Sequence, residues 1–278
     1  MTRTLSISKA SQILLILAFA VCASGIRAEE RAVMVHGPEG TDMPGYFFCP
    51  RNSGTNPLPA VVVAAGAGGV KLTQYREYCR KLASRDFVAL LVDGSNFPQS
   101  LTPGAETWRK MPYHLWSWVN HVMVALRLAF DDNWYVSNIH AAVDYVSSSP
   151  EVIPDRVAIS GFSQSANAAL AEASRDSRVK CVVWNNGGWP WIMAYDPNRL
   201  PPVLVFHGED DGVYNVKYAR ELESRLRSAG KDYECYIYPN QRHMFTVYYD
   251  LDSPPKSPEH ALNSSFELLV TFLDRILS

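Results

Sequence analysis

A serine in the middle of the chain stands in a context that can make it a nucleophile. The pentapeptide Gly161-Phe162-Ser163-Gln164-Ser165 follows a short β-branched run and precedes an alanine-rich stretch. A sharp strand-to-helix turn lifts a serine hydroxyl above the sheet and aims the N–H groups of the helix start at the charge that forms on attack. The pattern predicts acyl transfer at Ser163, although a serine before a helix can also be a simple N-cap.

Two later loops supply the other groups that such a serine needs. Asp211 lies in the acidic run from His207 to Gly212, and the loop after Tyr238 presents His243. A serine hydroxyl is a poor nucleophile at neutral pH, so a histidine must accept its proton and a carboxylate must hold the imidazole in the correct tautomer. The chain order Ser, Asp, His is that of the α/β-hydrolase scaffold.

These residues also have structural interpretations. Glu209 and Asp210 stand beside Asp211, so the acidic run could be a solvated turn, and a lone histidine such as His243 is often a surface residue. We expect His207 to act as a hydrogen-bonding residue at a strand end rather than as the base. Three suitable loops after three separate strands favour catalysis over the structural interpretations.

The elements that must position these loops form an alternating series. From Pro59 onward, apolar β-branched runs alternate with helical patterns, which predicts an α/β fold with a mostly parallel central sheet and helices on both faces. Ligands in such sheets bind beyond the carboxyl ends of the strands. Residues 32–36 and 46–49 are expected to add an antiparallel edge. The predicted strands are 60–65, 87–92, 156–160, 180–184, 203–207 and 233–238, and the predicted helices are 73–84, 136–148, 166–174, 216–229 and 259–277.

Backbone donors for an oxyanion can come from two places. The glycine-rich turn at 66–69 follows the first strand of the series, and we predict that Ala67 N–H and Gln164 N–H hold the oxyanion. The turn lacks the Lys-Ser/Thr ending of a phosphate-binding loop, so nucleotide binding is disfavoured. Aromatic residues in the loop after the strand at 180–184 are predicted to contact substrate, namely Trp189 and Trp191.

The N-terminus predicts export. Arg3 and Lys9 precede an apolar run at 13–23, and small residues lead to Ala28. This is the pattern of a signal peptide at 1–28, and the run is well short of the ~20 apolar residues that a membrane span needs. We therefore expect a periplasmic or secreted protein that has no stable membrane span after cleavage.

The mature chain is acidic and undivided. The full chain has 26 basic and 28 acidic residues, and loss of Arg3, Lys9 and Arg27 leaves 23 basic residues and a net charge of −5. Nucleic acid is therefore not an expected partner. Residues 29–278 show no repeat or interior linker, which predicts a single domain.

Four cysteines remain after the predicted signal peptide. They could pair in an exported protein, but two of them lie in apparent strands, which favours buried free thiols. Their spacing does not resemble a zinc site. The four residues are Cys49, Cys79, Cys181 and Cys235.

From about residue 45 to the C-terminus, the chain resembles the dienelactone hydrolase family of α/β-hydrolases. The resemblance is carried by 65–69, 161–163, 207–211, and 238–239 followed by 243–245. It implies Asp211 rather than Asp210 as the acid, and hydrolysis of an ester or lactone without a metal or organic cofactor.

The chain departs from this family pattern at two points. The namesake dienelactone hydrolases have this pattern with cysteine as the nucleophile. With Ser163 in that place, this chain is more similar to serine-type esterases of the same fold. The resemblance therefore does not imply lactone specificity. Ser165 and Ala166 stand where glycines are usual, in a turn where helix and strand pack closely. Serine and alanine are the next smallest residues, so the turn can still form.

The sequence thus predicts an exported serine hydrolase of small-molecule carboxylic esters. Ser163 attacks the acyl carbon, His243 transfers the proton and Asp211 orients His243. Two alternatives stay open: a peptidase on the same scaffold, and a catalytically silent relative that binds a ligand through the aromatic cleft. The sequence leaves the acyl and alcohol specificity and the oligomeric state undetermined.

Overall fold

The centre of the molecule is an eight-stranded sheet. The computed structural model describes residues 28–51, 56–66, 69–94, 133–189, 194–247 and 258–278. The strands are β1 (Glu29–His36), β2 (Asp42–Cys49), β3 (Leu58–Ala64), β4 (Val88–Val92), β5 (Val152–Phe162), β6 (Val179–Asn185), β7 (Val203–Gly208) and β8 (Tyr233–Tyr238). The helices are α1 (Thr73–Ala83), α2 (Asn133–Ser147), α3 (Ser165–Ala173), α4 (Lys217–Ser228) and α5 (Pro258–Leu277).

The strand order across the sheet is β1-β2-β4-β3-β5-β6-β7-β8. Strands β3 to β8 pair in parallel, whereas β1 pairs with β2, and β2 with β4, in antiparallel register. The predicted α/β class with an antiparallel edge is therefore confirmed. Strand β5 begins four residues earlier than predicted, because Pro154 and Asp155 interrupt the apolar pattern without ending the strand.

Helices cover both faces of the sheet, as predicted. One face packs against α2, α3 and α4 through residues such as Ile139, Ala169 and Leu222, and the other packs against α1 and α5 through Leu82 and Leu273. The inner strands are buried on both faces, which is why they read as unbroken apolar runs rather than as alternating ones. This arrangement brings the carboxyl ends of β3, β5, β6, β7 and β8 to one edge of the sheet.

Among the described residues, Cys79, Cys181 and Cys235 are free thiols. Burial raises the pKa of the least buried, Cys235, to about 12 and raises the pKa of Cys181 still further. The thiols of Cys235 and Cys181 are therefore protonated, which fits the structural role that their position in strands indicated.

The described residues include no helix that is long and apolar enough to cross a bilayer. The predicted signal peptide lies outside the described residues, except for Ala28.

Candidate active site

Ser163 lies in the tight turn between β5 and α3. Its φ of +56° is in the left-handed region, which residues with a side chain rarely adopt. The turn is crowded, because a Cβ on Gly161 would lie 2.6 Å from the carbonyl oxygen of Ser165. Such backbone strain, typically ~1–3 kcal/mol, persists only where the surrounding structure enforces it, and it often marks a functional residue.

The structure brings the three predicted side chains into one hydrogen-bonded series. The Oγ atom of Ser163 lies 3.1 Å from Nε2 of His243, and Nδ1 of His243 lies 2.7 Å from Oδ2 of Asp211. A carboxylate can only accept, so Nδ1 carries the proton and donates to Asp211. The lone pair on Nε2 is then left to accept the proton of the Ser163 hydroxyl.

The loops that carry Asp211 and His243 are fastened to each other. Asp210 N–H donates to the carbonyl of Gln241 at 3.0 Å, and Glu209 N–H donates to the carbonyl of Tyr238 at 2.9 Å. A Cβ on Gly208 would lie 2.3 Å from the Gln241 carbonyl oxygen, so only glycine allows this approach. The two loops therefore place acid and base as one unit.

The Asp211 carboxylate is held from several directions. Its side chain is 0% exposed, and Oδ1 accepts the N–H groups of Val213 and Tyr214 at 2.8 Å each. The side chain of Asn186 donates to Oδ2 at 3.3 Å. Burial alone would raise the pKa of Asp211, but His243, His207 and the Tyr214 N–H outweigh it, and the pKa is lowered. The neighbouring Asp210 is exposed, so the structure places Asp211 and not Asp210 against the imidazole.

His207 has the structural position that its strand-end location suggested. It is fully buried, donates from Nε2 to the Tyr214 carbonyl at 2.9 Å, and stacks on Trp184 with ring centroids 5.7 Å apart. Burial lowers its pKa and keeps it neutral. Its bond to Tyr214 fixes the loop that starts with Asp211.

Tyr214 is a site residue that the sequence reasoning missed. Its ring meets the His243 ring edge-on at 5.6 Å and the Trp189 ring at 6.0 Å. Burial raises the pKa of Tyr214, whereas the nearby side chains of Ser163 and Gln164 lower it, and the net shift is upward. Tyr214 is thus a neutral phenol beside the nucleophile. Its spacing from Asp211 carries no signal from which this contact could have been predicted.

The predicted oxyanion donors are described in part. Gln164 precedes the first turn of α3, so its N–H has no acceptor within the helix. Its side chain is buried, and Nε2 has no hydrogen-bond partner among the described residues. Ala67 lies outside the described residues, but its predecessor Gly66 is described. A Cβ on Gly66 would lie 3.0 Å from the Cβ of Ser163, so this turn begins against the nucleophile.

One of the two predicted aromatic contacts can be located. Trp189 is partly buried, with a φ of +28°, and its indole donates to the Tyr218 hydroxyl. Asn167 in α3 donates to the carbonyls of Gly188 and Trp189, which ties this loop to the helix that follows the nucleophile. Trp189 thus contacts Tyr214, which in turn contacts His243, and we call these two aromatic residues the wall beside His243. Trp191 lies outside the described residues.

A second cluster of titratable side chains lies away from this site. His140, Glu172 and Asp176 bring their possible metal-ligand atoms within 4.8 Å of one another. Arg178 pairs with Asp176 and lies 2.7 Å from Asp144, and His140 lies 2.7 Å from Glu172, so side chains of the protein already pair with these carboxylates. This charge pairing favours an ion-pair network over a metal site.

Comparison with known proteins gives a consistent set of similarities. The model of the dienelactone hydrolase family matches residues 43–273. An uncharacterized protein of Pseudomonas aeruginosa is 26% identical over 75% of this chain, and the match spans 47% of that protein, about half its length. A probable 2-oxo-3-(5-oxofuran-2-ylidene)propanoate lactonase of Bradyrhizobium sp is 26% identical over 82% of this chain and 89% of its own length. A solved structure of a dienelactone hydrolase-like promiscuous phosphotriesterase from metagenomic libraries has a TM-score of 0.71 at 22% identity, covering 91% of this chain and all of that one.

Proposed function

The chain belongs to the dienelactone hydrolase family and is a hydrolase, and from this premise we propose that it is an exported serine-type enzyme that cleaves carboxylic esters of small molecules. The observation that carries the proposal is the continuous series from Ser163 through His243 to Asp211, at 3.1 and 2.7 Å. This is the geometry that a serine nucleophile needs for activation at neutral pH.

In the proposed first half-reaction, the Oγ atom of Ser163 attacks the acyl carbon and its proton passes to Nε2 of His243. Asp211 stabilises the imidazolium that forms. The N–H groups of Gln164 and Ala67 donate hydrogen bonds to the oxyanion, and the positive end of the α3 helix dipole stabilises its charge. When the bond between the acyl carbon and the alcohol oxygen breaks, His243 donates its proton to that oxygen. The alcohol leaves, and the acyl group remains bound to Ser163.

In the second half-reaction, water takes the place of the alcohol. His243 removes a proton from the water as the water oxygen attacks the acyl carbon. Collapse of the tetrahedral intermediate releases the carboxylic acid, and Ser163 regains its proton from His243. The cycle needs only groups of this chain and water.

The wall beside His243 suggests which esters fit. Trp189 is partly exposed and packs against the buried ring of Tyr214, which contacts His243. Aromatic surface at this place favours substrates with an apolar or ring-containing part. A lactone is an ester within a ring, and the Bradyrhizobium relative is named as a probable lactonase. We therefore propose aryl esters and lactones as the substrate classes to test first, with the alcohol oxygen of a lactone staying attached to the product.

The strain at Ser163 supports catalysis over silent ligand binding. A binding protein gains nothing from a serine held at a φ of +56° with its hydroxyl on an imidazole. Relief of that strain by a less constrained turn would stabilise a binder at no functional cost. The strained turn is therefore more consistent with an enzyme.

Initial rates on a substrate panel test the proposal. The panel contains p-nitrophenyl esters of increasing chain length, aryl esters, lactones and peptide anilides, with Ser163→Ala as the inactive variant. Ser174→Ala is the matched control, because Ser174 is a buried serine at the other end of α3. We expect hydrolysis of esters or lactones that Ser163→Ala abolishes and Ser174→Ala retains. Cleavage of anilides alone would instead support the peptidase, and binding without turnover would support the silent relative.

Two further measurements address the finer parts of the proposal. Trp189→Ala should change the preference between aryl and short alkyl esters by about fivefold, since aromatic contact contributes ~1 kcal/mol. An unchanged preference would remove Trp189 from the substrate wall. Export predicts that the protein recovered from the producing cell begins near residue 29, and N-terminal sequencing of an intact residue 1 would contradict it.

A further inference from the structure

Ser165, two residues after the nucleophile, is fully buried and has a partner on each side. Its hydroxyl donates to the carbonyl of Ala65, and the Tyr135 hydroxyl lies 2.8 Å from it. A carbonyl oxygen can only accept, so the single proton of Ser165 is used on Ala65 and Tyr135 must be the donor to Ser165. A hydrogen-bonded series therefore runs from α2 through the first residue of α3 to Ala65, the residue that follows β3.

The other polar end of the same peptide unit is held by Tyr75. The carbonyl of Ala65 and the N–H of Gly66 belong to one planar peptide group. Gly66 N–H donates to the Tyr75 hydroxyl at 2.9 Å, and the Tyr75 ring packs edge-on against Phe162 at 5.2 Å. The peptide cannot turn without breaking two buried hydrogen bonds, and both bonds lead to the residues around Ser163.

This peptide lies directly against the nucleophile. A Cβ on Gly66 would be 3.0 Å from the Ser163 Cβ and 3.0 Å from the Phe162 carbonyl oxygen. The next peptide unit along the chain carries the Ala67 N–H, which the proposed mechanism assigns to the oxyanion. The peptide that Ser165 and Tyr75 hold therefore immediately precedes, in the chain, the peptide that carries the proposed donor.

We propose that Ser165 is a positioning residue for acyl transfer, which fixes the Ala65–Gly66 peptide against Ser163, immediately before the proposed oxyanion donor in the chain. The proposal rests on the proposed function. A glycine is usual at this place in the motif and could not form the bond, so the serine replaces a small residue by one that ties the two halves of the site together.

The test uses Ser165→Gly and Ser165→Ala with a p-nitrophenyl ester that the wild type hydrolyses. We expect kcat to fall about 10- to 100-fold while KM changes less than about threefold, because a misplaced oxyanion donor affects the transition state more than the bound substrate. A boronic acid, which forms a tetrahedral adduct on serine, should lose affinity by a similar factor. A ground-state product alcohol should not.

Tyr75→Phe removes the other bond to the same peptide and should lower kcat by a similar factor. In the double variant, Ser165→Ala with Tyr75→Phe, the loss should be smaller than the product of the two single losses, because either change alone already frees the peptide. Tyr75→Phe also keeps the proposal testable if Ser165→Ala fails to fold.

Two control variants separate positioning from general stability. Ser174→Ala removes another buried serine bond in α3, the one to the Ala171 carbonyl at 2.9 Å. Tyr78→Phe removes a buried tyrosine hydroxyl of α1 whose ring also packs against Phe162 at 5.2 Å. Both should keep kcat within about twofold at a comparable loss of Tm.

Wild-type kcat in Ser165→Gly and Ser165→Ala would overturn the inference while leaving the proposed function intact. Equal losses of kcat in the two control variants would overturn it as well. A wild type that hydrolyses no ester would overturn the proposed function and this inference with it.

Discussion

Two histidines of this protein each lie 2.7 Å from a carboxylate that is almost removed from solvent, yet their surroundings differ in kind. His243 faces Asp211 at the carboxyl ends of the strands, whereas His140 faces Glu172 between α2 and α3. The carboxylate side chains are 0% and 3% exposed, and the histidine side chains are 14% and 50% exposed. The histidine–carboxylate pair alone therefore does not define an active site.

The difference lies at the second ring nitrogen. Nε2 of His243 meets the hydroxyl of Ser163, a group that can give up a proton and attack. Nε2 of His140 meets a second carboxylate, Asp144, at 3.6 Å. The first imidazole turns an acceptor nitrogen toward a hydroxyl, the arrangement that a general base requires. The second is placed to remain charged between anions.

The charges around His140 explain its role. Burial alone would lower its pKa, but Glu172, Asp144 and Asp176 raise it and prevail. Burial raises the pKa of Glu172 despite the imidazole, and Arg178 helps to lower that of Asp176. The cluster thus joins α2 and α3 by partly exposed ion pairs, which stabilise the fold.

Replacing the histidine of each pair by glutamine tests the difference between the two pairs most directly. His243→Gln should reduce kcat about 10⁴-fold or more, because the general base is lost. His140→Gln should leave kcat within about twofold. Parallel rate measurements on one ester decide the matter, and comparable losses in the two variants would show that the pairs are not functionally distinct.

Asp211→Asn should lower kcat by about 10³- to 10⁴-fold, because an amide favours the wrong tautomer of His243. The pKa of Asp211 is lowered in the folded state. Its ionised form therefore stabilises the fold at any pH above the ordinary pKa of an aspartate. That contribution is lost as pH falls through the lowered pKa. Unfolding in urea from pH 7 to pH 3 should therefore show the wild type and Asp211→Asn converging at acidic pH, and a gap that widens toward pH 3 would contradict this account.

Asn186→Gly tests the support behind the first pair. It removes the side-chain donor to Asp211 while a glycine accepts the φ of +49° at this position. We expect a three- to tenfold loss of kcat. Arg178→Gln, which removes a donor to the carboxylates near His140, should leave kcat unchanged. Equal losses of kcat in Asn186→Gly and Arg178→Gln would show that the support of the Asp211 carboxylate has no special effect on rate.

His140→Gln should destabilise the fold by roughly 1 kcal/mol, the scale of partly exposed ion pairs. The pKa of His140 is raised in the folded state, so this contribution is complete below the ordinary value of about 6.5 and is lost as pH rises through the raised value. Urea unfolding at pH 6 and pH 9 measures it. A gap between wild type and variant that grows toward pH 9 would show that the imidazolium is not what stabilises the cluster.

The fold was largely predictable because its signals are local. Strands β7 and β8 are apolar runs that end in turn residues, and their predicted and observed bounds agree within one residue. The start of β5 was missed, since a strand can pass through Pro154 at a place where the ladder shifts register, and the local pattern does not record that. Tertiary pairing, not propensity, decides such a boundary.

The convergence of the candidate catalytic side chains was predictable to the extent that they follow strand ends. Ser163, Asp211 and His243 could be found because the carboxyl ends of parallel strands share an edge. The choice between Asp210 and Asp211 could not be made from composition, since it depends on which carboxylate the loop buries. The contacts of Tyr214 and the bond from Ser165 to Ala65 join distant parts of the chain, and no local pattern indicates them.

The central claim is that Ser163, activated by His243, is the nucleophile, and covalent labelling tests it most directly. The protein is treated with a fluorophosphonate, digested, and the modified peptide is identified by mass spectrometry. We predict a single adduct on Ser163, its formation slowed at least 10³-fold in His243→Gln and unchanged in His140→Gln. Label on another residue, or a wild type that stays unmodified, would contradict the account.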